Sequence, residues 1–342
     1  MSGRQFRVGD LVEVRSKQEI LSTLDEQGRL EGMPFMPEML AFCGQRFRVF
    51  KSAHKTCDTV FPIRSRRVER TVHLQTRCDG RAHGGCEAGC LLFWKEEWLK
   101  PASEASLDAA SVRDSAPHPN ARSIGNPRCN EDMLRNAAQT GGGGPTYVCQ
   151  ATQLPYATQD LSPFDVRQYV QDLASGNVTL GEWLRGLMYI GYDNLINLGI
   201  GLGRPLRWFY DLFQRVRQGI PYPRHYGKIS ADMPTPGGQL DLREGELVRV
   251  KRYEEILATC NVRNQNRGLL FDAEMVPYCG KTYRVHKRVT KIVNEKDGKL
   301  LHMKNPCIIL ENVFCRAWYS SCRMFCPRQI YAYWREIWLE RV

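Results

Sequence analysis

The chain carries one stretch of sequence twice: VGDLVEVRSKQEIL begins at Val8, and EGELVRVKRYEEIL begins at Glu244. The same spacing of 236 residues brings the segment CGQRFRV, which starts at Cys43, onto CGKTYRV, which starts at Cys279. Each copy is about a hundred residues long, which is the size of a domain rather than of a solenoid repeat. We therefore expect two homologous domains, each with its own core.

The two copies also end alike. FWKEEWL begins at Phe93, and YWREIWL begins at Tyr333. The two tryptophans of each segment are four residues apart, a spacing typical of an amphipathic helical turn. We expect these tryptophans to pack in the core rather than to form a ligand-stacking surface.

The hydrophobic pattern within each copy predicts strands. Polar and apolar residues alternate in Leu11–Val14 and again around Phe47, as in half-buried strands. A Gly-Asp pair followed by alternating valines resembles SH3-like barrels. The predicted fold class is therefore α+β: two homologous small β-barrel (SH3-like) domains with metal-binding cysteine loops, joined by a linker and a helical middle segment.

Composition sets the predicted boundaries. The segment after the first copy is rich in Ala, Ser, Asp, Pro and Asn and ends in four glycines, which is typical of a flexible linker. Helix-start signals follow at Ser162-Pro163 and Thr179, and Pro205 begins a third helix. We expect the apolar faces of these helices to be buried rather than to lie on a membrane. The predicted segments are the first repeat at 1–100, the linker at 101–145, the helical middle at 146–235 and the second repeat at 236–342.

The first copy contains a candidate metal-binding loop, RCDGRAHGGCEAGC. Thiolate and imidazole are ligands that zinc prefers, and glycines allow a loop to aim several side chains at one point. Five candidates compete for four ligand positions. The favoured set is Cys57, Cys78, His83 and Cys86, with Cys90 as the alternative for one of them.

The second copy contains a candidate site made of sulfur alone, with Cys307, Cys315, Cys322 and Cys326 as ligands. We expect zinc in both copies, with a structural role. An iron–sulfur cluster is the lesser alternative, since four thiolates permit it. Neither copy has the paired C-x2-C spacing of familiar zinc modules.

The net charge indicates the kind of partner, and targeting signals indicate the compartment. The formal net charge is +11, which favours an acidic polymer or protein partner. Basic runs such as Arg64-Ser-Arg66-Arg67 and Lys287-Arg288 would also suit nucleic acid, although no nucleic-acid reader motif is present. The N-terminal residues lack a signal-peptide core, and no transmembrane segment is predicted, so we expect a cytoplasmic protein with reduced thiols.

Evidence for an active site is weak in the sequence. Cys149 could be a nucleophilic thiol with His225 as its base, but a catalytic thiol needs a base within hydrogen-bond reach, which the sequence cannot establish. A metal-dependent or thiol-dependent enzyme centred on the first cysteine and histidine cluster, or on Cys149, remains an alternative. The glycines from Gly199 lack the strand and acidic residue of a dinucleotide site.

The segments quoted above, together with the SGN turn at Ser175 and the ending CPRQIYAYWREIWLERV, resemble a bacterial family of tandem SH3-like, cysteine-containing repeat proteins. The similarity covers both repeats. From the residues we expect a non-catalytic metal-stabilised binding or scaffold protein, and the resemblance implies a role accessory to a bacterial biosynthetic pathway. The second copy departs from the usual spacing by three extra residues around Cys322, which affects the identity of that ligand.

Overall fold

The computed structural model describes residues 6–60, 62–103, 128–141 and 145–342. The protein is a mixed α and β structure with several small sheets. It divides into two compact units. The first contains Met1–Thr179, Lys291–Leu301 and Cys326–Arg328, and the second contains Leu180–Thr290, His302–Phe325 and Gln329–Val342.

In the described residues before Leu180, short strands and short helices are mixed. The strands are β1 (Leu11–Val14), β2 (Arg29–Leu30), β3 (Met33–Pro34), β4 (Arg46–Arg48), β5 (Lys51–Ser52), β6 (Lys55–Asp58), β7 (Arg64–Arg67), β8 (Thr71–Arg77), β9 (Leu91–Lys95), β10 (Leu99–Pro101), β11 (Gln139–Thr140), β12 (Thr146–Tyr147) and β13 (Gln159–Leu161). The helices are α1 (Lys17–Thr23), α2 (Glu131–Ala137), α3 (Gln150–Ala157) and α4 (Arg167–Ala174), with 3₁₀ helices at Pro37–Phe42 and Glu96–Trp98.

From Leu180 onward, two helices precede the second set of strands. The helices are α5 (Leu180–Ile196), α6 (Gly203–Val216) and, later, α7 (Tyr253–Ala258), with 3₁₀ helices at Ala273–Tyr278, Ser321–Arg323 and Glu336–Trp338. The strands are β14 (Leu247–Val250), β15 (Gln265–Asn266), β16 (Leu269–Leu270), β17 (Thr282–Val293), β18 (Leu300–Phe314), β19 (Tyr331–Trp334) and β20 (Leu339–Arg341).

The strands of the two repeats follow the same order. In the first repeat, β1 lies between β10 and β4, and β8 lies between β5 and β9. In the second repeat, one sheet has the order β19-β18-β17-β14-β20. In the first repeat, the chain passes from one sheet to the next between β4 and β5. There, the N–H of Val49 donates to the carbonyl of Asp10, and the N–H of Phe50 donates to the carbonyl of His73. No sheet in the described part of the chain closes on itself, so the expected barrels are observed as open sheets.

Each repeat has its own aromatic core. Phe35 packs edge-on against Trp98 with ring centroids 5.1 Å apart, and Phe271 packs in the same way against Trp338 at 5.4 Å. Four tryptophans are fully buried, which confirms the predicted core packing: Trp94, Trp98, Trp334 and Trp338. The predicted helical turn is wrong, because the first of each pair lies in a strand and the second in a 3₁₀ helix. A spacing of four places two side chains on one face of a strand as well as of a helix, so the spacing could not separate these cases.

The predicted linker and middle segment are organised differently from the expectation. Residues 104–127 and 142–144 of the linker lie outside the described residues. Between them lies α2, whose Leu134 is buried in the first core. Helix α3 is tied to the first repeat, because the side-chain amide of Gln150 donates to the carbonyl of Phe93 at 2.8 Å and accepts from its N–H at 2.9 Å. The predicted middle segment is thus divided between the two units after Thr179.

Strand β8 carries a buried histidine in the first core. The Nδ1–H of His73 donates to the carbonyl oxygen of Leu92 at 2.8 Å. Burial lowers the pKa of His73 from 6.5 to about 4. The second repeat has an isoleucine at this position, because Ile309 pairs with Tyr333 as His73 pairs with Phe93.

We expect His73→Ile to make the protein less sensitive to acid. Between pH 6.5 and about 4 the unfolded chain binds a proton at His73 that the folded chain does not, so the wild type loses stability as the pH falls through this window. The difference is about 2–3 kcal/mol between pH 7 and pH 4.5. Denaturant unfolding of both proteins at the two pH values measures it. An equal loss in the variant would contradict the assignment.

Candidate metal centre

The loop that follows β8 begins at Cys78 and folds back sharply. Gly80 has a φ of +71°, and a Cβ atom on it would lie 2.0 Å from the carbonyl oxygen of Cys86. The N–H of His83 donates to the carbonyl of Gly80 at 2.9 Å, and the N–H of Cys86 donates to the carbonyl of His83 at 3.1 Å. Only glycine fits at position 80. This turn brings His83 back towards Cys78.

Three potential ligand atoms meet inside the loop. The Sγ of Cys78 lies 3.3 Å from Oε1 of Glu38, and Nδ1 of His83 lies 2.7 Å from the same oxygen. All three ligand atoms lie within 4.8 Å of one another, and this is the one such group found among the described residues. The structure therefore contains a group of Glu38, Cys78 and His83 that is able to hold a metal ion.

Sequence reasoning identified two members of this group and missed the third. Glu38 lies in the 3₁₀ helix Pro37–Phe42, far from the cysteine loop in sequence. A signal for it existed, because the duplication aligns Glu38 with Glu274. A carboxylate retained in both copies of a core segment was a candidate partner for the loop.

The imidazole ring of His83 is oriented by the backbone. Its Nε2 lies 3.1 Å from the carbonyl oxygen of Val148, so Nε2–H donates to that oxygen. In the neutral ring, Nδ1 then presents a lone pair towards Glu38 and cannot donate to it. The other carboxylate oxygen, Oε2 of Glu38, is buried without a hydrogen-bond partner in the described part of the chain. A cation between these atoms would satisfy both groups, and a backbone carbonyl on the second ring nitrogen is the usual support of a metal-binding histidine.

The protonation equilibria of the group favour a cation as well. Burial acts to raise the pKa of Glu38, but the hydrogen bond and positive charge of His83, present when both ring nitrogens carry a proton, outweigh burial, so the pKa is lowered. Burial, together with the Glu38 carboxylate, raises the pKa of Cys78 far above its ordinary value. The thiol therefore stays protonated unless a bound cation lowers its pKa, as metal ions do for coordinating thiols.

A small cavity of about 30 Å³ opens beside Cys78 and His83. Three further cysteines line it: Cys86, Cys90 and Cys149. Burial raises the pKa of Cys90 to about 12 and that of Cys149 to about 11. The volume suits a single ion or one to two water molecules. The cavity thus gathers four thiols and one imidazole.

Cys57, a favoured ligand from the sequence, lies outside the group of Glu38, Cys78 and His83. It lies in β6, where its N–H donates to the Sγ of Cys326 at 3.1 Å. The buried guanidinium of Arg328 donates to the carbonyl of Cys57 at 3.0 Å and to Oε1 of Glu295 at 2.7 Å. Cys57 and Cys326, predicted for different sites, are therefore neighbours in the first unit.

Cys315 is the structural counterpart of Cys78. Each follows the last residue of its strand, and the N–H of Cys315 donates to the carbonyl of Ile330 at 2.8 Å as that of Cys78 donates to the carbonyl of Cys90 at 2.9 Å. The two cysteines therefore occupy corresponding positions in the two repeats. The residue whose carbonyl accepts this hydrogen bond differs, however: it is Cys90 in the first repeat and Ile330 in the second.

Glu274 performs a different task from Glu38. Its carboxylate accepts hydrogen bonds from the backbone N–H groups of Trp318 at 3.0 Å and Tyr319 at 2.6 Å. The carboxylate thus holds the loop after Cys315 directly. No histidine of the described residues forms a hydrogen bond with it. The same aligned position contacts a thiol and an imidazole in the first repeat and backbone amides in the second.

The remaining cysteines of the predicted second site have different surroundings. The strand pairing puts Cys307 at the position of Thr71, and Cys307 is buried with its Sγ 3.5 Å from Nη1 of Arg335. The Sγ of Cys322 lies 3.5 Å from Oγ of Ser320. Cys326 belongs to the first unit. Within the described residues, these cysteines form no ligand group of the kind seen at Cys78.

No protein-family model matches this chain, and no curated protein matches it either. None of the described helices combines the length and the apolar character needed to cross a bilayer. The site must therefore be interpreted from its own geometry.

The candidate catalytic pair is not supported by its local contacts. Cys149 lies at the start of α3 and faces the thiol cavity, and its raised pKa keeps it protonated near neutral pH. The Nε2 of His225 lies 2.7 Å from Oδ2 of Asp211 in the second unit. The ring partner of this histidine is thus a carboxylate.

Most of the basic residues considered for nucleic-acid contacts are already engaged. They form ion pairs with carboxylates, namely Arg66 with Asp160 at 2.7 Å, Arg67 with Asp165 at 2.6 Å and Arg288 with Glu336 at 2.5 Å. An arginine paired in this way neutralises less phosphate charge than a solvated one. These ion pairs argue against the basic runs as a surface that binds the phosphates of nucleic acid.

Proposed function

We propose that this protein is a metal-stabilised, non-catalytic binding protein whose first unit is held by one structural zinc ion. The proposed ligands are Cys78, His83 and Glu38, with Cys90 in the fourth position. The observation that carries the proposal is the convergence of thiol, imidazole and carboxylate within 4.8 Å beside a cavity lined by further thiols.

The orientation of His83 supports a metal rather than a simple hydrogen bond. Without an ion, the 2.7 Å contact between Nδ1 and Glu38 requires a second proton on the buried pair. With an ion, Nδ1 and the carboxylate both act as lone-pair donors, and Oε2 of Glu38 is no longer left without a partner. Burying an unpaired polar atom costs about 1–3 kcal/mol, so an ion removes a real penalty.

The mixture of ligands supports zinc over an iron–sulfur cluster. Zinc accepts sulfur, nitrogen and oxygen ligands in one tetrahedral site, whereas iron–sulfur clusters are held mainly by thiolates. The cavity of about 30 Å³ suits one ion better than a multinuclear cluster. We therefore propose one zinc ion per chain, in the first unit.

Cys90 is the best-supported fourth ligand. It lines the cavity and lies directly across from Cys78, whose N–H donates to its carbonyl oxygen at 2.9 Å. Cys86 also lines the cavity, and its Sγ accepts the N–H of Val293 at 3.3 Å. Cys149 lines the same cavity and is the alternative.

We propose that both repeats are SH3-like modules that act as a scaffold for a protein or another acidic partner. Their shared strand order, in which the last strand pairs with the first, supports this interpretation. The resemblance to tandem SH3-like, cysteine-containing bacterial proteins supports an accessory role in a biosynthetic pathway. The proposal places the protein in the cytoplasm, where thiols stay reduced and available for metal. Zinc would supply folding free energy that a small module lacks.

Metal content tests the proposal, and the duplication provides a matched control. The full chain is purified untagged as the wild type, as Cys78→Ser and as Cys315→Ser, and zinc and iron are measured per chain. We expect about one zinc in the wild type and in Cys315→Ser, and almost none in Cys78→Ser. Equal zinc in all three proteins, or iron in place of zinc, would contradict the proposed site.

A further inference from the structure

Helix α6 presents its apolar side outward. The exposed fraction is 62% for Trp208 and 64% for Phe209, and no residue of the helix is buried. The exposed apolar residues recur at helical spacing: Trp208, Phe209, Leu212, Phe213 and Val216. A surface helix normally shows the reverse arrangement, with its apolar stripe towards the core.

Polar contacts hold α6 in this orientation. The carboxylate of Asp211 accepts the N–H of Tyr222 at 2.7 Å and lies 2.7 Å from Nε2 of His225. The hydroxyl of Tyr192 in α5 donates to the carbonyl of Leu206 at 2.7 Å. The inward side of the helix therefore carries these polar contacts, and the described residues leave its apolar side exposed.

The apolar surface continues beyond α6. The turn between α5 and α6 exposes Leu198, Ile200 and Leu202, which alternate with glycines. Helix α5 adds Leu184 and Met188. Half of the large hydrophobic side chains that are exposed in the described residues lie between Leu180 and Val216. Exposed apolar surface on this scale marks an interaction site.

The charges on this surface all have one sign. The exposed charged residues between Leu180 and Gly219 are Arg185, Arg204, Arg215 and Arg217. The acidic residues of the same stretch are buried or half-buried. Aromatic and leucine side chains beside arginines are the pattern of a helix that lies in the interface of an anionic membrane.

We propose that α5, α6 and their connecting turn, together called the apolar hairpin, dock this protein onto an anionic lipid membrane surface. The arginines match the lipid phosphates, and the aromatic side chains enter the acyl boundary. The glycines of the exposed Leu-Gly-Ile-Gly-Leu turn give its backbone a wide conformational range, which suits a fluid lipid phase better than a rigid protein pocket. The expectation from the sequence that these apolar faces are buried is wrong, because their large apolar side chains are exposed among the described residues. This inference is independent of the proposed metal, because the hairpin lies in the second unit.

Vesicle binding of the full chain tests the proposal. The probes are vesicles of phosphatidylcholine alone and vesicles that also contain phosphatidylserine, assayed by flotation and by tryptophan emission. Of the seven tryptophans, all within the described residues, Trp208 is the exposed one, so a blue shift that Trp208→Phe removes reports on the hairpin. We expect binding to the anionic vesicles that weakens as salt is raised.

Two variants and a control separate the contributions. Phe209→Ser with Phe213→Ser is expected to weaken binding by about 100-fold, and Arg204→Gln with Arg215→Gln by about 30-fold. The control, Val262→Ser with Leu270→Ser, alters exposed apolar residues elsewhere in the second unit and should bind as the wild type does. The proposal is overturned if the wild type ignores anionic vesicles, if the control weakens binding equally, or if the hairpin variant abolishes only self-association.

Discussion

Cys78→Ser is expected to lower the free energy of unfolding by about 4 kcal/mol in a buffer whose free zinc exceeds the dissociation constant a thousandfold. The reason is that the folded first unit binds the ion through Cys78, His83 and Glu38, whereas the unfolded chain does not preserve their arrangement. Denaturant unfolding at fixed free zinc measures the loss. A chelator should destabilise the wild type by a similar amount and leave Cys78→Ser unchanged.

Cys315→Ser is the control for this measurement. It removes the same chemical group from the corresponding position of the second repeat, where Glu274 binds backbone amides and no ligand group is found among the described residues. We expect this variant to keep the response of the wild type to chelator. A chelator response that survives in Cys78→Ser would show that the metal, if bound, lies elsewhere.

Asp172→Asn is expected to lower the free energy of unfolding by about 3–5 kcal/mol. The Oδ2 of Asp172 lies 2.5 Å from Nζ of Lys55, and their side chains are 0% and 1% exposed. Burial lowers the pKa of Lys55, and Asp172 opposes this effect, so removing the carboxylate leaves a buried ammonium group without its counter-charge. The pair joins α4 to β6 within the first unit. Urea unfolding of the variant measures the loss.

A double-mutant cycle identifies the cause of that loss. Lys55→Met removes the buried charge, so Lys55→Met with Asp172→Asn should be more stable than Asp172→Asn alone by at least about 1 kcal/mol. If the double variant is instead the least stable of the set, lost packing rather than the unpaired charge explains the result.

The sequence predicted those parts of the fold that depend on local pattern and on the duplication. The aligned segments correctly located the two aromatic cores, because residues that align in the two copies lie at the same places in the shared strand order. The glycines of the first loop correctly indicated a tight turn around His83. The spacing of the tryptophans fits a strand as well as a helix, and the prediction of a helical turn was wrong.

The rest of the site depends on contacts between segments that are distant in sequence. Glu38 reaches the loop from a 3₁₀ helix 40 residues before Cys78. Cys149 reaches the same cavity from the start of α3, a helix that the sequence assigned to a separate middle segment. Cysteine spacing alone could not reveal either, because it describes only how ligands are arranged within one loop.

In the second copy, extended chain separates two of the predicted ligands. Cys307 lies in the middle of β18, at a position that a threonine occupies in the first repeat, and Cys315 directly follows the last residue of that strand. A strand rises about 3.3 Å per residue, so eight residues of extended chain separate them by far more than a shared ion allows. Aligned cysteines in duplicated domains therefore need not keep the same role.

Zinc K-edge X-ray absorption of the purified full chain measures the coordination shell of the ion itself. We expect a four-coordinate ion with a mixed shell, in which sulfur lies at about 2.3 Å and nitrogen or oxygen lies at about 2.0–2.2 Å. Loss of the nitrogen contribution in His83→Ala would assign the imidazole. A shell made of sulfur alone, or a protein that holds no zinc when purified in its presence, would contradict the proposed centre at Glu38, Cys78 and His83.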